Sequence, residues 1–194
     1  ENLHGIKRTL GSRQKAKKPI LINDLKLIIK ALNEEKKEKL RNKALILVGF
    51  AGGFRRSELV NLENEDIEFV DEGVKILIKR SKTDQSGEGM RKAIPYFNNN
   101  QFCPVIALKK WIDAFEKNQN KIFNISDKNV ALIIKKYASI AGLDSNKYAG
   151  HSLRSGFATS AAESGAEERN IMAMTGHKTT EMVRRYIKEA NLFK

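Results

Sequence analysis

The chain has 194 residues, of which 41% are hydrophobic and 30% charged, and its formal net charge is +13. This length and composition predict one globular domain, and the single cysteine, Cys103, excludes an internal disulfide and a cysteine-based zinc site. The charge indicates a polyanionic partner, nucleic acid before membrane, although a merely lysine-rich or ribosome-associated protein would have the same balance.

The N-terminal segment, residues 1–18, is predicted to be a linker. It is rich in cations, contains Gly5 and Gly11, and lacks apolar periodicity. It does not resemble a signal peptide, and apolar runs throughout the chain fall short of the ~20 residues of a membrane span. We therefore expect a cytoplasmic protein without a membrane partner, whose folded domain begins after this linker and covers residues 19–194.

Two helices are predicted next, because apolar residues recur three and four positions apart. Either Asn23 or Asp24 is expected to cap the N-terminus of the first helix. Gly52 and Gly53 are expected to end the second. The apolar positions are Leu25, Ile28, Ile29 and Leu32 in the first helix, and Ala44, Leu47, Val48 and Ala51 in the second.

The pattern then changes to strict alternation, which predicts strands. Ile67 and Phe69 alternate with polar residues, and the alternation resumes at residues 74–78 after a short turn. The two runs predict a β-hairpin, and residues 91–95 predict a third strand. The connection formed by residues 81–89 is long and polar, and long hairpin loops often carry function.

The rest of the chain has helical periodicity. One apolar face holds Leu108, Trp111, Ile112 and Phe115, and another runs from residue 130 to residue 141. Further helices are expected at about 152–165, at about 167–175, and from about 180 onward. The predicted fold class is α+β but mostly α: a helical domain with a small three-stranded antiparallel sheet inserted early. Cys103, just before Pro104, is expected to be a buried or capping-turn thiol rather than a nucleophile.

Several scattered cations and aromatic groups are candidate functional residues. Arg55 follows the Gly-Gly break, where a rigid corner could aim its guanidinium at a phosphate; it could equally be a surface arginine paired with Glu58, and either Arg55 or Arg56 could point inward. His151 and Arg154 share a helix face because they are three residues apart. They fit a phosphate pocket or a helix cap with a solvated cation equally well.

Three further candidates are ambiguous by themselves. His177 follows Gly176 and could cap the last helix or donate a hydrogen bond into a shared site. Tyr186 lies on an apolar stripe, which is typical of a core tyrosine, except that two arginines precede it. Lys82, in the hairpin connection, is by itself a solvated loop lysine.

Five segments, taken in chain order, form one pattern. They are Gly53-Phe54-Arg55-Arg56-Ser57-Glu58-Leu59, Ser81-Lys82-Thr83-Asp84-Gln85, His151-Ser152-Leu153-Arg154, Thr175-Gly176-His177-Lys178 and Arg184-Arg185-Tyr186. They resemble, in order, the Gly-Leu-Arg-Ile-Ser-Glu-Leu box, the hairpin lysine segment, the His-x-x-Arg box, the Gly-His box and the nucleophile of the tyrosine recombinase (phage integrase) family. Five ordered segments are far more specific than one short motif.

The resemblance implies an enzyme: a site-specific DNA recombinase that works through a 3′-phosphotyrosyl intermediate. It makes Tyr186 the nucleophile and selects Arg55 over Arg56, so that Arg55 and Arg154 stabilise the phosphate. His151 would help with proton transfer, His177 would donate a further hydrogen bond, and Lys82 would act as general acid. Glu58 is expected to orient the arginine region. No metal or other cofactor is expected.

The same resemblance implies the context of the reaction. The chain would be a catalytic domain, and residues 1–18 would be the remnant of a linker to a missing N-terminal DNA-binding domain. The partner would be double-stranded DNA with specific crossover sites. The protein is expected to be a monomer when free and a homo-oligomer, expected to be a tetramer, on DNA. It would be cytoplasmic and would associate with the nucleoid when bound. Further DNA contacts are expected at Lys79, Arg80, Arg184 and Arg185. The alternatives are a type IB topoisomerase and a non-catalytic DNA-binding module of the same fold.

Overall fold

The protein is described by a computed structural model covering residues 17–32, 36–79, 89–114 and 119–191, with no side chains described for 189 and 190. The helices in these ranges are α1 (Ile22–Lys30), α2 (Lys37–Ala51), α3 (Arg56–Val60), α4 (Pro104–Ala114), α5 (Asp127–Ile140), α6 (Ser152–Glu163), α7 (Glu168–Thr175) and α8 (Thr180–Ala190). The strands are β1 (Ile67–Val70), β2 (Gly73–Ile78) and β3 (Met90–Pro95). The predicted class, mostly α with a small antiparallel sheet, is confirmed.

Helix α2 is the central element of the main core. Its second half, from Ala44 to Phe50, is buried on every side, as expected of a helix surrounded by other elements. Its main neighbours are α4 and α6. Gly49 allows α6 to approach, because a Cβ at this position would lie 2.9 Å from a side-chain atom of Leu153. The end of α2 is therefore fixed inside the protein.

The sheet has the order β1-β2-β3, with both pairs antiparallel, so the predicted hairpin and third strand are confirmed. The inward positions of β2 are Val74, Ile76 and Ile78, which alternate with less buried residues. The alternation in β3 puts Ile94 and Lys92 on the same inward side, and Lys92 is opposite Ile76 in the register. A lysine thus occupies a position where the pattern calls for an apolar residue.

The last helices rest on a separate, small cluster. Its buried members are Ala158, Ala162, Ile171 and Val183, from α6, α7 and α8. Tyr186 and Ile187 pack against this cluster from α8. The apolar stripe of the last helix thus has the packing role that its spacing predicts, and it fixes the side of α8 on which Tyr186 lies.

One detail of the first helix differs from expectation. The predicted cap at Asn23 or Asp24 is wrong: the N-cap is Leu21, and no side chain caps this end. Asp24 instead accepts hydrogen bonds from Tyr148 Oη at 2.8 Å and from Lys18 Nζ at 3.1 Å. Asn23 and Asp24 lie inside the first turn of the helix, and the Asp24 carboxylate binds a side chain from a distant part of the sequence.

Other expectations concern the second half of the chain. Cys103 is fully buried, as predicted, and its Sγ accepts a hydrogen bond from Phe97 N at 3.3 Å. Phe115 and the hairpin connection 80–88 lie outside the described residues. Within the described part of the chain, no helix combines the length and apolar character needed to cross a bilayer.

Candidate active site

The site is built around the turn that ends α2. Gly53 has φ +56°, in the left-handed region, and a Cβ there would come within 2.9 Å of the Phe157 ring and 3.2 Å of the Thr175 methyl group. This glycine lets the chain reverse tightly against α6 and the end of α7. Two residues later the chain starts α3, with Arg55 as its N-cap.

Arg55 is fixed by Glu58, which is buried. One carboxylate oxygen of Glu58 accepts the Arg55 backbone N–H at 2.8 Å, and the other accepts Arg55 Nη1 at 2.7 Å. Arg55 Nη2 donates to Gly176 O at 3.4 Å. The carboxylate therefore caps α3 and orients the guanidinium at once. Arg56 instead lies over Gly150, beside His151, so Arg55 is the arginine that reaches the Gly-His segment.

Arg154 comes to the same turn from α6. Its guanidinium is almost completely buried, and Nη1 donates to Gly53 O at 3.0 Å. Burial, reinforced by the positive charge of Arg55 and opposed by Glu58 and Tyr186, lowers the pKa of Arg154 to about 10, so it remains a cation at neutral pH. Nη2 is buried and has no hydrogen-bond partner among the described residues.

The unpartnered Nη2 is unusual for a buried charged group. Leaving a buried donor unsatisfied costs about 1–3 kcal/mol, and more when the group is charged. An anion placed against Arg154 would supply the missing acceptor, and a phosphate oxygen has the required geometry. The arrangement therefore favours a site for an anionic ligand at this position.

Lys92 is a member of this cluster that sequence reasoning missed. Its Nζ donates to Gly52 O at 2.6 Å and to Met174 O, and it lies 4.5 Å from the centre of the Phe54 ring. Burial lowers the pKa of Lys92 to about 7; Glu58 opposes this shift, and the two arginines add to it. The available signal was its inward position in the alternation of β3.

His177 is oriented by Thr175, the last residue of α7. Its Nδ1 lies 2.7 Å from Thr175 Oγ1, and its ring centre lies 6.0 Å from that of Tyr186. Burial and the positive charges of Arg154, Arg55 and Lys92 lower the pKa of His177 to about 4. The imidazole is therefore neutral at physiological pH.

His151 stands at the N-cap of α6, on the exposed rim of the site. Partial burial and the charges of Arg56, Arg154 and Arg55 lower its pKa. It thus stands near the two candidate arginines, as its spacing from Arg154 predicts. Being more exposed than His177, it is also the imidazole with better access to water.

Five of the six residues predicted to be catalytic are brought together: Arg55, His151, Arg154, His177 and Tyr186. Tyr186 is half-buried on α8 and is near enough to Arg154 to raise the pKa of its guanidinium. The sixth, Lys82, and the predicted DNA contact Arg80 lie outside the described residues. The fold thus assembles residues that are separated by up to 131 positions in the chain, from residue 55 to residue 186.

The other predicted DNA contacts have protein partners or lie on α8. Lys79 Nζ binds the carboxylates of Glu63, at 2.7 Å, Glu65 and Asp66, which raise its pKa. Arg184 Nε donates to Glu168 at 3.3 Å, and Arg185 is exposed on the same helix. The charge of Lys79 is therefore largely neutralised within the protein.

Known proteins share this sequence pattern. The sequence profile of the phage integrase family matches residues 20–192. The chain belongs to the phage integrase family. It is 47% identical, over an alignment of 204 residues, to the integrase/recombinase XerD homolog of Selenomonas ruminantium, with 99% of this chain and 60% of that protein covered. It is 30% identical over 175 residues to tyrosine recombinase XerA of Pyrococcus horikoshii, with 84% and 58% covered.

Solved structures share the fold. The XerH site-specific recombinase bound to palindromic difH substrate, in a post-cleavage complex, superposes with a TM-score of 0.74 at 18% identity, covering 91% of this chain and 51% of that one. A lambda integrase dimer bound to a COC′ core site gives a TM-score of 0.62 at 18% identity, covering 92% and 61%. The chain spans about 60% or less of these relatives' lengths. The relatives named here favour the recombinase interpretation of this phage integrase family member over the topoisomerase alternative.

Proposed function

We propose that this chain is the catalytic domain of a site-specific DNA recombinase, which cuts and rejoins DNA through a 3′-phosphotyrosyl intermediate. The observation that carries the proposal is the buried, unpartnered Nη2 of Arg154, beside Arg55 and close to Tyr186. A cationic pocket that lacks only an acceptor, next to a phenol, suits a phosphodiester under attack by that phenol.

In the proposed reaction the Tyr186 oxygen attacks the scissile phosphorus in line. An oxygen–phosphorus bond forms as the bond to the 5′ oxygen breaks, so the phosphotyrosyl bond conserves the energy needed for rejoining. Deprotonating a phenol at pH 7 costs ~4 kcal/mol, so a proton acceptor is required. The sequence resemblance proposes His151 for assistance with this proton transfer, and its position on the rim is compatible with that role.

Positive charge comes from guanidinium groups. Negative charge gathers on the non-bridging oxygens in the transition state, and a planar guanidinium can bind two such oxygens side by side. Arg55 is pre-oriented by Glu58, and Arg154 by Gly53 O, so neither has to reorganise during the reaction. Lys82 is proposed as the general acid that protonates the departing 5′ oxygen.

The wider assembly is also proposed. Residues 19–194 would form the catalytic domain, joined by the basic segment 1–18 to a further DNA-binding domain. The partner would be double-stranded DNA with specific crossover sites, held by several copies of the chain, most simply four. The net charge of +13 supports this assembly, as do the two relatives solved as DNA complexes, one of them a dimer. The protein would act in the cytoplasm, at the nucleoid.

Covalent capture tests the proposal. A library of random duplexes carrying a nick is incubated with the protein, and adducts that survive denaturing electrophoresis are sequenced. The protein and a Tyr96→Phe control, altered at an exposed tyrosine, are expected to form the adduct, whereas Tyr186→Phe is expected to bind DNA without forming it. An adduct in Tyr186→Phe would refute the nucleophile, and the absence of any adduct would favour the non-catalytic module.

A further inference from the structure

Gly150 leaves room for the side chain of a distant residue. A Cβ on Gly150 would coincide with the Arg56 side chain, whose Cγ, Cδ and Nε atoms all lie within 2.7 Å of that point. Gly150 is buried, and its φ is outside the left-handed region, so its backbone conformation does not require a glycine. The missing side chain is therefore what allows Arg56 to lie across this position.

Arg56 and its neighbour Arg55 have different partners. The Glu58 carboxylate accepts hydrogen bonds from the Arg55 backbone N–H and from Nη1. Within the described residues, the Arg56 guanidinium has neither a carboxylate partner nor a hydrogen-bond acceptor, although the residue is only partly exposed. A partly buried cation has lost some of its water, and an anionic ligand would replace it with charge-assisted hydrogen bonds.

The position of Arg56 places this free guanidinium beside His151. That residue directly follows Gly150 and is the N-cap of α6. Burial lowers the pKa of His151, and positive charges lower it further: Arg56 has the largest effect, ahead of Arg154 and Arg55. The charged groups that act on the ring are thus all cations, two from the start of α3 and one from α6. The exposed rim of the site therefore carries an arginine with an open valence for an anion.

We propose that Arg56 is a third phosphate-binding arginine of the site, held across Gly150 so that it contacts a backbone phosphate of DNA beside His151. The placement on Gly150 follows from the contacts alone, whereas the phosphate contact rests on the proposed function. Arg55 and Arg154 would bind the phosphate under attack, and Arg56 would bind a phosphate oxygen at the rim. The planar, forked guanidinium suits such an oxygen better than an ammonium group does.

The same contact would link DNA binding to proton transfer. In the free protein, the positive charge of Arg56 disfavours a proton on His151. A phosphate bound to Arg56 would offset this charge and raise the pKa of the imidazole. His151 would then take up a proton more readily once DNA is in place, in agreement with the assistance in proton transfer proposed for it.

The placement of Arg56 is tested in the free protein by NMR titration of the histidines. The chain has three histidines, so a His151→Gln spectrum identifies the relevant signal. Arg56→Gln removes the charge and Gly150→Ala displaces it, and both are expected to raise the pKa of His151. Arg169→Gln is the matched control, because it removes the same charge from an exposed arginine that is paired with Glu167. An unchanged titration of His151 in Arg56→Gln would overturn the proposal without touching the proposed function.

The phosphate contact is tested by the salt dependence of DNA binding. A labelled duplex obtained by covalent capture, or the random pool if none is captured, is titrated by fluorescence anisotropy. All proteins also carry Tyr186→Phe, so that binding is measured without cleavage. Arg56→Gln is expected to reduce the magnitude of the slope of log K against log salt by about one unit, the change for one phosphate contact. Arg56→Lys, which keeps the charge, and Arg169→Gln are expected to keep the slope.

The outcomes separate this proposal from the proposed function. An unchanged slope in Arg56→Gln, with circular dichroism showing a folded protein, would reject the phosphate contact whether or not adducts form. Arg56→Met, which keeps the aliphatic contact with Gly150, replaces Arg56→Gln if that variant is unfolded. A reduced slope together with a captured adduct supports both proposals. A reduced slope without an adduct on any nicked duplex would keep Arg56 as a DNA contact and reject the proposed function instead.

Discussion

Lys92 and Arg154 donate hydrogen bonds to consecutive carbonyl oxygens, those of Gly52 and Gly53. One comes from the sheet and the other from α6, so the turn that leads to Arg55 is held by cations from two elements. Lys92 also binds Met174 O, close to the Gly-His segment. One ammonium group thus connects the turn that ends α2 to the end of α7.

Replacing Lys92 should therefore damage catalysis more than DNA binding. Lys92→Met keeps the length of the side chain but removes its donors, and we expect at least a tenfold loss in single-turnover cleavage, since two hydrogen bonds of about 1 kcal/mol each disappear. Lys75→Met, on the exposed face of the neighbouring strand, is the matched control and should cleave normally. An unchanged rate in Lys92→Met would contradict the positioning argument.

The same lysine should make stability depend on pH. Its pKa is about 7 in the folded protein and near 10.5 when unfolded, so the unfolded chain binds more protons between these values. Stability attributable to Lys92 should therefore rise with pH across this window, by up to about 1.4 kcal/mol per pH unit. Urea unfolding at several pH values measures it, and a Lys92→Met curve with the same slope as the unaltered protein would disprove it.

Acidification should weaken the fold through His177. Its pKa is about 4 in the folded protein, below the ordinary histidine value of 6.5, so stability from this residue is fully present above pH 6.5 and is lost as the pH falls towards 4. His177→Gln should flatten this part of the stability curve in thermal unfolding experiments. Other groups titrate in the same range, so the difference between the two proteins is the quantity to compare; no difference would mean that the imidazole is not held neutral.

Arg154 should be far more important for cleavage than an exposed arginine. Arg154→Ala is expected to lower the single-turnover rate by about 10²–10³, the scale for losing one donor to a transition-state oxyanion. Arg91→Ala, on the outward side of β3, serves as the control. Because Arg154 also holds Gly53 O, circular dichroism must show a folded variant. A folded Arg154→Ala with an unchanged rate would make the arginine purely structural.

Salt should weaken DNA binding steeply, because phosphate contacts release counterions. The sequence predicts a contribution from Lys79, but its ammonium binds three carboxylates, from Glu63, Glu65 and Asp66. Lys79→Ala is therefore expected to leave the slope of log K against log salt nearly unchanged in a fluorescence anisotropy titration. A slope smaller in magnitude by about one unit, the change expected for one phosphate contact, would show that Lys79 leaves its carboxylate partners to bind phosphate. A complete absence of salt dependence would contradict the electrostatic interface.

Local patterns in the sequence predicted much of this structure. The central helix α2, the hairpin and the positions of α6, α7 and α8 follow from apolar periods and glycine stops, which act over a few residues. The choice of Arg55 over Arg56 needed the family resemblance, because neighbouring residues in a loop share the same local signal. The structure supplies the physical reason, a carboxylate three residues later that binds both backbone and guanidinium.

What could not be predicted depends on distant partners. Asp24 is not the cap because the helix begins two residues earlier, at Ile22; its carboxylate instead accepts a hydrogen bond from Tyr148, 124 positions away. Lys92 was overlooked since its acceptors are 40 and 82 positions away; the alternation of β3 indicates its inward position but not its backbone partners. The orientation of the His177 ring is a finer case: Thr175 is a near neighbour in the sequence, but only the structure shows that its Oγ1 lies 2.7 Å from His177 Nδ1.

The turn at Gly52 and Gly53 has no room for larger residues. A Cβ on Gly52 would overlap the Phe54 ring at 2.2 Å, and Gly53 adds a backbone conformation that other residues rarely adopt. The main-chain conformation of this turn thus sets the direction in which the Arg55 side chain points. Redesign of this scaffold should leave the two glycines untouched and place its diversity elsewhere, because substitutions here would displace Arg55 before they altered any other property.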